Sequence, residues 1–256
     1  MKKALKWTYL MLILFFLYAP IVVMIALSFN ASRSSAVWTG FTFDWYKDLL
    51  GNAKIMDALK VTLSVAVIAT AVSTVLGTLA AIGIHGMKKG WAGWILNVSY
   101  LPMTMPDIVT GVSIMMLFVV LKMERGYWTM VMAHIAFDTP YVLFSVLPKL
   151  KQMDPNMYEA ALDLGCKPFK ALTKVIVPQV TPGIVTGGLL AFTMSIDDFI
   201  ISYFTGGSAV NNLSIAVYGS ARRGVSPSMY ALSAIMFVVI LVLLLIINRR
   251  SSLENV

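Results

Sequence analysis

Glu159-Ala160-Ala161-Leu162-Asp163-Leu164-Gly165 and, nine residues further on, Val175-Ile176-Val177-Pro178 form a polar island between two long apolar blocks. Asp154 can cap a short helix with Pro155 in its first position, and Gly165 can take the left-handed turn that ends it, which predicts a helix over 155–164. On that helix Met157, Ala160, Ala161 and Leu164 recur at helical spacing as an apolar face, while Glu159 and Asp163 stand four residues apart on another. A second helix is expected to follow, with Lys167, Lys170 and Lys174 on one face and Phe169, Leu172 and Ile176 on another. A short amphipathic helix held between membrane spans either lays its apolar face into a partner's groove or lies flat on the bilayer.

The blocks around this island set the class of the chain. Its 256 residues are 59% hydrophobic and only 12% charged, with a mean hydropathy of +0.81, outside the balance of a soluble globular domain. The apolar runs approach the roughly 20 residues a helix needs to cross the hydrocarbon core and lack the alternation of barrel strands. The expected fold is an all-α membrane protein with six spans, at 7–27, 61–84, 94–120, 128–147, 182–204 and 229–247. Basic residues near span ends tend to stay in the cytoplasm. Twelve of the twenty, Lys2, Lys3, Lys6, Lys88, Lys89, Lys149, Lys151, Lys167, Lys170, Lys174, Arg249 and Arg250, fall on one side if both termini are cytoplasmic. The net charge of +8 is then a signal of topology and lipid-headgroup attraction, not of nucleic-acid binding.

The first block is also open to reading as a cleaved signal peptide, with Lys2, Lys3 and Lys6 as its basic region, but the apolar run 10–27 exceeds the usual apolar core of about 7–15 residues. Cys166 is the single cysteine, which excludes an intrachain disulfide. Capping side chains adjoin prolines at Thr104-Met105-Pro106-Asp107, Thr139-Pro140, Asp154-Pro155 and Thr181-Pro182, a pattern of helix starts. Pro102 and Pro106 are expected to bend or break the third span. Gly77, Ala80, Ala81 and Gly83 in the second span, and Gly183, Gly187 and Gly188 in the fifth, suit close approach of helix backbones in lipid. The outer loop, 28–60, carries Trp38, Phe41, Phe43, Trp45 and Tyr46, which serve either as interfacial anchors or as contacts for a substrate-delivering protein.

Four of the twelve acids, Asp107, Asp138, Asp197 and Asp198, fall inside predicted spans, where a mid-bilayer carboxylate costs on the order of 3 kcal/mol. Asp107 can close a capping box with Thr104 at a restarted helix, and Asp138 can help to satisfy a kink at Pro140. For Asp197 and Asp198 no proline or glycine adjoins. Thr186, Thr193 and Asp197 form one stripe and Ser195, Asp198 and Ser202 another, on adjacent faces of what is expected to be one helix. These acids suit either a cation pathway or interhelical hydrogen bonding. The chain has no phosphate-binding G-x-x-x-x-G-K-[ST] loop and no Cys/His cluster for a metal, and its two histidines, His85 and His134, are expected to be structural.

The island of the first paragraph resembles the EAA loop of bacterial ABC importer permeases, the binding-protein-dependent transport inner-membrane component family: Glu-Ala-Ala, three residues, Gly, nine residues, Ile-x-Leu-Pro. Every spacing fits, with Val175 and Val177 in place of the Ile and Leu. Ser28-Phe29-Asn30, Phe41-Thr42-Phe43-Asp44-Trp45-Tyr46, Pro106-Asp107-Ile108-Val109 and Ser195-Ile196-Asp197-Asp198 extend the resemblance, within that family, to permeases of spermidine/putrescine importers. The resemblance implies a type I, MetI-like permease bundle: one transmembrane domain over 1–256, a five-span core over 60–248 and a coupling loop over 149–181. It further implies that Glu159, Ala160, Ala161 and Gly165 touch a cytoplasmic ATPase and that Pro178 fixes re-entry into the membrane. A sister permease, two copies of the ATPase and an extracytoplasmic binding protein are the implied partners, with ATP and Mg on the ATPase and no cofactor or catalysis in this chain. Permeases for iron or thiamine share the loop, and a secondary cation transporter with a chance match is the reading from a different class.

Overall fold

The structure, a computed structural model, describes residues 2–208, 210–223 and 226–253. The side chains of Lys2, Lys3, Arg249 and Arg250, used above for orientation, lie outside the described residues. The elements are α1 (Lys2–Leu27), α2 (Asp44–Gly51), α3 (Ala53–His85), α4 (Lys89–Thr104), α5 (Asp107–Val120), α6 (Tyr127–Gln152), α7 (Met157–Asp163), α8 (Pro168–Ala171), a π turn (Leu172–Ile176), α9 (Val177–Asp197), α10 (Ile200–Thr205), α11 (Leu213–Arg223) and α12 (Pro227–Leu253). The chain divides into two compact units, 1–57 with 216–245, and 58–215 with 246–256.

Four helical stretches are long and apolar enough to cross a membrane by themselves: Leu5–Leu27, Ala53–His85, Tyr127–Gln152 and Pro168–Asp197. The pair α4 and α5 is apolar enough to span only when taken together, and the two helices meet at an angle of 110°, as in a broken span or a re-entrant loop. The expected break of the third span is therefore real, and it falls at Met105 and Pro106. The sixth expected span coincides with α12, whose apolar stretch Pro227–Val242 is shorter than the others.

In the first unit, α1 buries none of its apolar window, as suits a helix whose solvent is lipid. The loop after it is organised by buried Asn30. Its Nδ2 donates to the carbonyl of Val37 at 2.9 Å, its Oδ1 accepts from the Thr39 amide at 3.1 Å, and its own carbonyl accepts from Trp45 Nε1 at 2.6 Å. Phe29 stacks on Phe41 at 5.1 Å and meets Phe43 edge-on at 5.4 Å.

The second unit is built around α6, which has the largest buried share of any spanning window, 61%. Val142, Val146, Leu147 and Leu150 of α6 pack with Ala81 and Ile84 of α3 and with Val180 and Ala191 of α9. Glycine permits that contact. A Cβ on Gly187 would stand 2.9 Å from Val142 Cα, one on Gly183 2.8 Å from the Ser145 carbonyl oxygen, and one on Gly77 2.9 Å from the Thr139 carbonyl oxygen. Gly83 meets nothing within 4 Å, so the close-approach reading holds at Gly77, Gly183 and Gly187 and fails there.

Several local expectations are corrected. Thr139 and Thr181 do not start helices. Each lies inside one and donates its hydroxyl to its own i−4 carbonyl, Ile135 at 2.6 Å and Val177 at 2.9 Å, the alternative use of threonine within a helix. Thr104 likewise bonds back to Tyr100 and Leu101, and no capping box forms with Asp107. Pro178 stands in the first turn of α9. The helix from Pro168 to Asp197 runs through it, and the π turn ahead of it, with the Val177 amide reaching the Leu172 carbonyl, accommodates the ladder bond that proline removes.

Candidate functional site

The α6–α9 connection folds as a helical foot. Asp154 does not cap a helix at Pro155. Its Oδ1 accepts from the Asn156 amide at 2.9 Å in a turn, and α7 begins at Met157. The far end follows the sequence reading: Gly165 has φ +82°, with Gly165 N–H donating to the Leu162 carbonyl at 2.8 Å and Cys166 N–H to the Ala161 carbonyl at 3.1 Å, the paired closure of a left-handed helix end.

The predicted apolar face of α7 is split. Met157 and Ala161 are half-buried towards the rest of the unit, while Glu159 and Ala160 are exposed. Leu164 is 89% and Phe169 75% exposed. Behind the foot lies a cavity of about 530 Å³. It is bounded by Ile82 and His85 at the end of α3, Leu150 of α6 and Met153 just after it, and Phe169 and Leu172, with Tyr158 and Glu159 on its α7 wall.

The four intramembrane acids separate into different environments. Asp107 starts α5 and is exposed, and Asp197 ends α9 and is also exposed. The fifth span is not one helix: it stops at Asp197 and resumes at Ile200, so the stripe Ser195, Asp198, Ser202 straddles a break. Asp198 makes that break possible. Its Oδ1 accepts from the Ile201 amide at 3.1 Å and its Oδ2 from the Ser202 amide at 2.8 Å, so it caps the restarted half-helix.

Asp138 is 0% exposed, and neither of its oxygens has a hydrogen-bond partner among the described residues. It therefore does not satisfy the Pro140 kink. Asp138 lies one helical turn along α6 from His134, whose Nε2 is 3.6 Å from Asp198 Oδ2. Asp107 and Asp198 stand at the starts of α5 and α10, which pack together with Gly111 facing Ile200 and Phe204.

His134, expected to be structural, is a buried polar residue that joins α6 to α9 and α10. Its ring is fully buried, with Nδ1 2.8 Å from Ser195 Oγ and Nε2 2.9 Å from Ser202 Oγ, and Nε2 is 3.6 Å from Asp198 Oδ2. Whichever nitrogen carries the proton, a hydroxyl can complement it. The available signal was the spacing His134-x-x-x-Asp138, which places both on one face of α6.

Two apolar helices broken at acidic residues, an acid enclosed within α6 and a helical foot that exposes apolar side chains between spans are the features of the membrane-spanning class to which this chain belongs. The chain belongs to the family of binding-protein-dependent transport system inner membrane components, whose model matches residues 73–252.

Among particular relatives it is similar to the spermidine/putrescine transport system permease protein PotC of Escherichia coli strain K12, 35% identical over 230 residues that cover 90% of this chain and 87% of that one. It is also similar to the putrescine transport system permease protein PotI of the same strain, 36% identical over 228 residues, covering 86% of this chain and 81% of PotI. Among solved structures, a bacterial ABC transporter that imports the acidic polysaccharide alginate matches with a TM-score of 0.72 at 17% identity, covering 98% of this chain and 94% of that one. The MetNI methionine ABC transporter matches at 0.61 and 16% identity, covering 77% and 96%. At these identities the likeness shows the fold, that of an ABC importer permease.

Proposed function

We propose that the chain is the transmembrane permease of an ATP-driven polyamine importer of the spermidine/putrescine type. It works beside a sister permease, two copies of a cytoplasmic ATPase that carries ATP and Mg, and an extracytoplasmic binding protein. The observation that carries the cationic substrate is Asp138, a carboxyl enclosed in the membrane-spanning unit without a donor among the described residues and one helical turn from His134, whose Nε2 is 3.6 Å from Asp198 Oδ2. A buried carboxylate requires a partner, and a substrate with several spaced ammonium groups supplies donors to more than one acid. The names of the polyamine permeases among its relatives support the same substrate.

In this reading Asp107, Asp138, Asp197 and Asp198 line the path, and Glu159, Ala160, Ala161, Gly165 and Pro178 couple it to the ATPase. The chain performs no covalent chemistry. ATP closes the ATPase pair, the foot carries that movement, and the spans alternate between facing out and facing in. With both termini in the cytoplasm the foot faces the ATPase, and an inside-negative potential assists entry by about 2.3 kcal/mol per charge per 100 mV.

The test is the ATPase activity of the complete reconstituted complex, with binding protein loaded with spermidine, putrescine, iron or thiamine. Stimulation by a polyamine alone is expected. Stimulation by another solute keeps the permease and discards the polyamine, and the absence of any associated ATPase favours a secondary cation transporter.

A further inference from the structure

Asp138 is wholly enclosed by its own chain, so a substrate ammonium, or a group from another subunit, reaches it only when the elements covering it part. The contact of α6 with the body of α9 is the wrong place to open, because there the two backbones meet directly at Gly183 and Gly187. The junction of α9 and α10 is different. Its helical ladder is already interrupted at Asp198 and Phe199, so separation there sacrifices no regular turn.

His134 ties the two sides of that junction together. Nδ1 holds Ser195, before the break, and Nε2 holds Ser202, after it. The far end of α10 is anchored separately, by Thr129 Oγ1 donating to the Thr205 carbonyl at 2.8 Å. Movement is thereby confined to the last turn of α9 and the first turn of α10, directly beside Asp198.

Resting on the importer reading above, we propose that His134 is a positioning residue that holds a gate shut across the α9–α10 break, and that substrate reaches Asp138 when the His134–Ser202 bond opens. His134 and Asp138 share one face of α6, one turn apart, so the ring that closes the gate stands one turn from the carboxyl. An ammonium arriving at Asp138 and Asp198 brings its own donors. The bonds released at Ser202 are thus exchanged for bonds to substrate.

The gate is tested with Ile201→Cys, at a buried position in the first turn of α10 that leaves the His134–Ser202 bond in place, in a Cys166→Ser background, in the full complex with ATPase and binding protein, by following reaction with the membrane-permeant probe N-ethylmaleimide. A buried thiol is protected, so labelling at rest is slow. It becomes at least about tenfold faster during turnover with ATP and spermidine-loaded binding protein if the junction opens. Equally slow labelling while loaded binding protein stimulates the ATPase overturns the gate and leaves the importer intact. No stimulation of the wild-type complex by any loaded solute overturns the importer reading, and the gate with it. Should the cysteine variant fail to assemble, His134→Gln serves. ATPase activity without loaded binding protein rises at least about threefold if the clamp restrains the junction, and an unchanged ratio of stimulated to unstimulated activity rejects it.

Discussion

Asp138 carries opposite predictions for stability and for transport, and this separates a substrate-binding acid from a structural one. Both of its oxygens lack a partner among the described residues, so Asp138→Asn removes no hydrogen bond to them. The purified variant should therefore melt no lower than the parent. Transport should fall, because losing a charged hydrogen-bond partner costs about 1.5–3 kcal/mol, which lowers uptake at subsaturating substrate by about tenfold or more. Thermal unfolding in detergent and uptake in vesicles measure the two; a lower melting temperature with unchanged uptake would return Asp138 to structural duty. Residues of this kind were only partly legible. Gly165 was readable because its role is local, a left-handed turn closing a helix seven residues long. His134 was not, since its partners lie 61 and 68 residues away and no short-range pattern announces a ring held between two serines.

Among the elements, α6 and α9 depend on glycine at particular positions and not on a general abundance of small residues. Gly187→Leu forces side-chain atoms against Val142 Cα and Ser145 Cβ, at 2.9 and 3.1 Å from the first added carbon. Backbone cannot step aside as a flexible side chain does, so the variant should lose about 1–3 kcal/mol of stability, read as a lower melting temperature and reduced assembly. Gly83→Ala is the control. It lies in the same class of sequence but opens onto empty space, and alanine should be neutral or stabilise α3 by up to about 1 kcal/mol. Equal losses from both variants would show that the close approach does not support the bundle. The helix breaks divide in the same way between readable and unreadable. The α4–α5 break was visible in Pro106, which fixes its own φ and restricts its neighbour. The α9–α10 break has neither proline nor glycine, because Asp198 ends one helix and caps the next with a single side chain, and an acid in an apolar run reads equally well as a polar stripe.

For the whole molecule, the family, the helical class and the broken third span were legible, because hydropathy and the spacing from Glu159 to Pro178 are properties of the linear chain. What the foot does to the spans was not, since that depends on how α7 is held. Gly165 offers a way to test the connection without disturbing either the membrane bundle or the outward face of the foot. A Cβ at Gly165 would meet no atom within 4 Å, so Gly165→Leu creates no clash. Its effect is confined to the backbone, where φ +82° costs an ordinary side chain about 1–2 kcal/mol. Relief of that strain would re-aim the end of α7, with Leu164 and its exposed apolar surface, away from any partner seated on it. If the foot transmits ATPase movement, Gly165→Leu should abolish ATP-driven uptake while membrane insertion and copurification of the sister permease stay normal. Gly165→Asn should retain a substantial part of the uptake, because asparagine tolerates the left-handed region. Uptake, insertion and copurification measured side by side decide it: equal loss in both variants would assign the glycine a contact that any side chain blocks, whereas normal uptake in Gly165→Leu would remove the foot from the coupling path altogether.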